Sequence, residues 1–438
     1  MDQSMTGNAL ATETFFLASK RSEIALLRQL MASCELVTQV SNLIHELQRE
    51  RGLSNVFLAS KGVRFARQRL QQIPTALHAE QGFRCRLEQL DIESWTRVGS
   101  ARLFNNIAYA LHGLDGLQAL REQIGQRALT ATESTQAFNR LITALLSVIF
   151  EAADISDDPE ITRALVAMFN FMQGKEYAGQ ERAWAVIGFA AGEFDQALLH
   201  RLSDLVDSQQ QSFHTFEEFA QAAPIDGWRE LENHEETLEF LRLRLLIARV
   251  QPGTGLPSEI SEVWYDAATR RIDRMQQLER QLADALLQLS QQRVREANKE
   301  LKKHHDSLEL IASLHEPGAS PLTMLLAPEQ APAPTEAGSS GATSSDWVHS
   351  LYGLVRQQAE GLKQMHDELT AARQALSDRK TLERAKGLLM QFRGLTEEQA
   401  YRLLQQTSMA QNRSLAAVAQ KLIADIEQLK GKSNGLPH

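Results

Sequence analysis

Residues 37–62 read VTQVSNLIHELQRERGLSNVFLASKG. Val37, Val40, Ile44 and Leu47 recur every three or four residues, the spacing of one buried face of an α-helix. The spacing returns at Leu103, Ile107, Leu111 and Leu114, at Phe138, Leu141, Ile142, Leu145 and Ile149, and at Leu238, Leu241, Leu245 and Leu246. No stretch sustains the alternation of a half-buried strand. Helix breaks are expected near Gly62, Pro74, Gly99, Pro159, Gly192, Pro224 and Pro252–Pro257. Roughly eight helices before residue 315 are too many for one four-helix bundle and suit two packed together. The expected fold is all-α.

Composition agrees. The aromatic share is 6%, and helix-forming Leu, Ala, Gln, Glu and Arg dominate. The start of the chain lacks a basic segment followed by an apolar core, and no apolar run reaches the roughly 18 residues that span a bilayer. Cys34 and Cys85 are too few for a disulfide framework or a zinc site, which points to a cytoplasmic protein. After Pro257, Met275, Leu278, Leu282, Ala285 and Leu289 keep a 3-4-3-4 spacing. That pattern serves a coiled-coil seam or one more bundle helix. Residues 316–346 are rich in Pro, Ala, Gly and Ser and read as a flexible linker. The expected division is a helical domain over 12–256, a long signalling helix over 257–315, the linker, and a C-terminal domain over 347–432 with a three-helix core at about 375–430.

The C-terminal module stands out by charge. From Arg379 to Arg413 there are seven bases and three acids, on a chain whose net charge is −9. A locally basic helical module is a candidate polyanion reader. Leu382, Ala385, Leu389, Ala400 and Leu404 form its expected packing set. Arg379, Lys386 and Arg393, seven apart, should line one side of the first helix, with Arg402 and Arg413 further out. Tyr401 is a candidate for stacking on an unpaired base. Gly387 would admit a close neighbour, Thr396 with Gln399 forms a capping box, and Ser414 is an expected N-cap.

The ordered motifs AL..R...E.AKGLLM, GLTEEQAYRLL and SM..N.SL..VA, within residues 375–422, resemble the ANTAR domain, an RNA-binding module of transcription antiterminators. That resemblance implies binding to paired hairpins in a leader transcript, prevention of terminator formation, and action as a homodimer, with any contact to transcribing RNA polymerase indirect. ANTAR modules often follow a phosphoacceptor receiver domain; no α/β unit of that kind is visible here, so direct ligand binding is the expected input.

Upstream, QRERGL at residues 48–53 and QERAW at residues 180–184 each hold a Glu-Arg pair followed by Gly or Ala. Two arginines facing each other without matching acids make an anion pocket, because planar guanidinium donates in a fork to a planar oxyanion. The competing reading is ordinary pairing with Glu50, Glu181 and Glu239. Arg49 and Arg51 are two apart, so both reach one ligand only if the helix ends near Gly52. Arg242, beside the stripe of Leu238, Leu241 and Leu245, is a weaker third donor, and Arg244 weaker still. LQRERGLSNVFLASKG and QERAWAVIGFAAGEF are similar to two motifs of the NIT domain, a nitrate- and nitrite-sensing helical module. The resemblance implies nitrate or nitrite as effector, no other cofactor, and ligand roles for Arg51 and Arg182, then Arg49, then Arg242.

Enzyme motifs are incomplete. HELQR at His45 has Arg49 where a zinc protease needs its second His. Gly174-Lys175 lacks the remainder of a phosphate loop. A non-catalytic one-component regulator is expected; the alternatives are a DNA-binding helix-turn-helix regulator and a coiled-coil signalling scaffold.

Overall fold

The computed structural model describes residues 2–96, 101–153, 158–257, 259–313 and most of 377–433. The linker at 316–346, the helical pattern from Trp347 to Leu369, Gly99, Arg379 and Thr396 lie outside the described residues. All described elements are helical. They are α1 (Asp2–Ala59), α2 (Ala66–Glu88), α3 (Ile92–Thr96), α4 (Ala101–Asp115), α5 (Leu117–Gln126), α6 (Ala131–Ala153) and α7 (Pro159–Ala191). There follow α8 (Gln196–Phe219), α9 (Ala222–Asn233), α10 (Glu235–Ala248), α11 (Ile260–Ser313), α12 (Glu397–Gln411) and α13 (Leu415–Ser433).

One bundle is built from α1, α2, α4 and α6, a second from α7, α8, α10 and α11; they join where α1 meets α7 and α11. Helix α7 is buried on every face from Leu165 to Val186. A helix without a wet face belongs to the core, so each charge on it needs a partner inside the protein. Its start is fixed by Asp158, whose side chain accepts from the Ile161 N–H with Pro159 at the first helical position. Gly192 caps its end at φ 78°.

Three sequence expectations change. Pro74 lies inside α2 rather than at a break, since the helix packs along α1 and forfeits only one backbone bond. Leu238, Leu245 and Leu246 are exposed. The buried face of α10 is Thr237, Phe240 and Ile247, a set that satisfies helical spacing equally well. Finally, α1 runs unbroken through Gly52. On α11, Met275, Leu278, Leu282 and Leu286 pack into the bundle core, so the first half of this 54-residue helix is a bundle wall. Ala285 is exposed.

In the C-terminal module Leu382, Ala385, Leu389, Ala400, Leu404 and Val418 form a small core of their own. Ser414 caps α13 by accepting from the Ala417 N–H at 3.2 Å.

Candidate anion site and nucleic-acid interface

The two Glu-Arg motifs meet where α1 crosses α7. Each glutamate turns away from its own arginine. Glu50 takes a bidentate pair from Arg121 on α5, both contacts at 2.8 Å. Glu181 takes one from Arg244 on α10, at 2.7 and 2.6 Å. Glu239 pairs with Arg270 at 3.3 Å. The neighbouring acids thus leave both motif arginines to the interface.

Arg51 and Arg182 are both 0% exposed. Arg51 donates twice to Glu176, from Nη1 at 2.5 Å and Nη2 at 3.1 Å, and once to Asn139. Glu176 also accepts from Gln48 at 2.8 Å and Gln180 at 2.9 Å. Among the described residues Arg182 makes no ion pair with a carboxylate; Asp273 acts on it at longer range. Its Nη1 donates to Thr269 Oγ1 at 2.9 Å, its Nη2 to the Gln48 carbonyl at 2.8 Å, and its guanidinium lies over the Tyr265 ring at 5.2 Å. Among the described residues the Nε–H of both arginines is buried without a partner. Arg69, Arg86, Arg271 and Arg293 share that feature, so the orphaned donors support the site only together with the burial and pairing of these two arginines.

The glycines explain the approach. A Cβ at Gly52 would stand 2.9 Å from Arg182 Nη2, and one at Gly179 would stand 2.6 Å from Arg51 Nη2. Each arginine therefore lies across a glycine of the opposite helix. Gly52 serves contact, not helix termination.

The local field is positive. Burial lowers the Arg182 pKa from its ordinary value; Arg51 and Arg49 add repulsion, while Tyr265 and Asp273 oppose it. His45 is held well below the ordinary histidine value by burial and then by Lys175, Arg49, Arg182 and Arg280. A planar monoanion would relieve this field and occupy free guanidinium edges.

Arg49 is half-buried and acts on Arg182 at a distance. Arg242 is exposed, whereas Arg244 turns inward, because it lies on the true stripe of Thr237, Phe240 and Ile247. Arg271 is buried close to Arg244; burial and that neighbour push its pKa down to about 9. Gln209 on α8 joins the group, donating to Glu181 at 2.7 Å and accepting from Arg244 at 2.9 Å. Sequence reasoning missed Glu176, Thr269, Tyr265 and Gln209. A signal existed for the first: Lys175-Glu176 is a charged pair inside an apolar stretch.

The basic module divides differently from the expected line. Arg393 and Arg413 are exposed, but Lys386 is 3% exposed and does not share a solvent face with Arg393. Among the described residues nothing lies within 4 Å of where a Gly387 side chain would begin. Arg402 forms an ion pair with Asp204 on α8, and the Tyr401 hydroxyl donates to Gln211 Oε1 at 2.7 Å. Among the described residues no group of three or more His, Cys, Asp or Glu is placed to hold a metal ion, and no helix is long and apolar enough to cross a membrane.

Residues 42–287 match the family described as nitrate and nitrite sensing, NIT, which is more than half of the chain. The chain belongs to the NIT family. Residues 370–423 match the ANTAR domain. Neither family is one of enzymes. The chain is 33% identical to a nitrate regulatory protein of Klebsiella oxytoca over 419 residues, 96% of each chain. It is also similar to the solved structure of the NasR transcription antiterminator, with a TM-score of 0.58 and 30% identity over 95% of this chain and 99% of that one. The paired arginines thus lie inside the NIT domain, and Tyr401, Arg402 and Arg413 inside the ANTAR domain.

Proposed function

We propose that this chain is a nitrate- or nitrite-responsive transcription antiterminator, with the anion bound between Arg182 and Arg51 and the ANTAR domain binding leader-RNA hairpins. The observation that carries the ligand site is Arg182: fully buried, and among the described residues without an ion-pair partner. The switch rests on α8. One side of that helix holds Tyr401 and Arg402 through Gln211 and Asp204, and the other holds Glu181, next to Arg182, through Gln209. In the resting arrangement two candidate RNA contacts are therefore engaged by the NIT domain. An anion that binds more tightly to the released arrangement shifts the population toward RNA binding. Helix α11, which touches Arg182 through Thr269 and Tyr265, is both a wall of the site and its second output. Action on a nascent transcript places the protein in the cytoplasm, and a homodimer presenting two ANTAR domains suits a paired hairpin.

The test is a gel shift of leader RNA with and without nitrate. Asp204→Arg replaces attraction at Arg402 with repulsion. An exposed pair contributes up to about 1 kcal/mol and its reversal a similar amount, so RNA affinity without nitrate should rise by up to about thirtyfold. Unchanged nitrate dependence in this variant rules out masking through α8.

A further inference from the structure

A second basic surface lies outside both the paired arginines and the ANTAR domain. From Arg51 to Ala79 the sequence holds no Asp or Glu but five bases: Arg51, Lys61, Arg64, Arg67 and Arg69. On a chain with 55 acids in 438 residues such a gap is unusual. Arg51 and Arg69 are buried, and Arg64 pairs with Glu262 at 3.1 Å. Lys61 and Arg67 are exposed, in and just after the α1–α2 loop. The end of α5 adds Arg127, also exposed. Its Nη1 donates to the Lys61 carbonyl at 2.9 Å, which ties the two segments into one corner. Among the described residues, Lys61, Arg67 and Arg127 have no carboxylate partner. Glu133, close to Arg127 in sequence, is committed to the α6 cap, where it accepts from the Thr130 N–H and hydroxyl at 2.8 Å.

Backbone geometry marks the same corner. Among the described residues three non-glycine residues have positive φ: Lys61 at 55°, Phe65 at 59° and Arg127 at 57°. Left-handed backbone is unfavourable for any residue with a Cβ, and glycine is the stable choice at a helix end. The chain uses glycine in that way at Gly192. Phe65 has a packing reason, an edge contact with Tyr265 at 5.1 Å between ring centroids. Lys61 and Arg127 close the ends of α1 and α5, their N–H groups donating to the Leu58 and Ile124 carbonyls at 3.0 Å, while their side chains stay exposed.

We propose that Lys61, Arg67 and Arg127 form an auxiliary phosphate clamp that contacts the backbone of the leader RNA held by the ANTAR domain. This rests on the RNA-binding reading above. An RNA approaching a protein of net charge −9 is repelled except where bases cluster within about one Debye length of roughly 8 Å. The ends of α1 and α7 and the starts of α8 and α11 share one end of the NIT domain, linked by Arg64–Glu262 and by the Leu256 N–H donating to the Gly192 carbonyl at 2.7 Å.

The experiment titrates labelled leader-hairpin RNA against the full chain with nitrate present, from low to moderate salt. The variants are Arg67→Glu alone and the triple Lys61→Gly/Arg67→Ala/Arg127→Gly. Each lost phosphate contact should lower the salt slope by about one, and the triple variant should bind about ten- to thirtyfold more weakly. Lys61→Gly by itself should melt at the same temperature as the wild type or higher, which separates the loss of affinity from any loss of fold. If the wild type binds and both variants bind equally tightly with its slope, the clamp is wrong and the RNA reading stands. If the wild type does not bind the hairpin at all, the RNA reading itself fails.

Discussion

Arg182→Met is expected to abolish nitrate binding and leave the unliganded protein at least as stable as the wild type. Ordinarily the loss of a buried charged side chain is costly because it strands a partner. Among the described residues Arg182 makes no ion pair that its loss would break: its hydrogen bonds go to a hydroxyl and a carbonyl, and repulsion from Arg51 and Arg49 is set against longer-range attraction to Tyr265 and Asp273. Methionine fills a similar space without the desolvation penalty. The ligand loses a fully buried guanidinium that makes no ion pair among the described residues, and a charge-assisted fork is the main means of holding so small an anion. Affinity should fall at least about 100-fold, or about 2.7 kcal/mol. Calorimetry should show saturable heat for the wild type and none for the variant. Nitrate at about 100 times its dissociation constant should stabilise the wild type by about 2.7 kcal/mol and leave the melting of the variant unmoved. Arg182→Lys keeps the charge without the fork and should fall between the two. A variant that binds nitrate like the wild type would move the site elsewhere.

The parts of this site that the sequence displayed were those written locally. The core faces of α1, α4 and α6, the cap at Ser414 and the recurrence of the Glu-Arg motif all lie within a few residues of one another, where helical periodicity operates. What the sequence concealed was partnership. Glu50 precedes Arg51 in the chain yet binds Arg121, and Glu181 precedes Arg182 yet binds Arg244, because adjacent residues on a helix point in different directions. Arg242 and Arg244 are distinguished only by which stripe of α10 is buried, and the run of leucines supports two registers. The exposed leucines then mark the wrong one. Lys386 shows the limit of counting by sevens: a straight line of bases on a helix says nothing about which side a neighbouring element covers.

Seven residues before Arg182, on the same buried helix, Lys175 should behave in the opposite way. Its Nζ lies 2.7 Å from Glu279 Oε2 on α11, close enough for an ion pair though not aligned as a hydrogen bond, with both side chains 0% exposed. Gln276 accepts from the same ammonium, and Ser41 on α1 donates to Glu279. Glu279→Leu leaves that ammonium buried and uncompensated, which costs about 3–5 kcal/mol. At roughly 2–4 °C per kcal/mol the melting temperature should drop by about 6–20 °C. Adding Lys175→Met removes the stranded charge and should recover most of the loss, since a buried pair exchanged for apolar side chains of similar volume is often near neutral. The double variant should also respond to nitrate, because the pair holds α1, α7 and α11 together without presenting a free donor. An uncorrected melting temperature in the double variant would mean that Glu279 acts through something other than Lys175. The two cations sit two turns apart in equally dry surroundings. Lys175 has a carboxylate and works as a strut; Arg182 lacks one, and its charge is therefore available to an anion from solution.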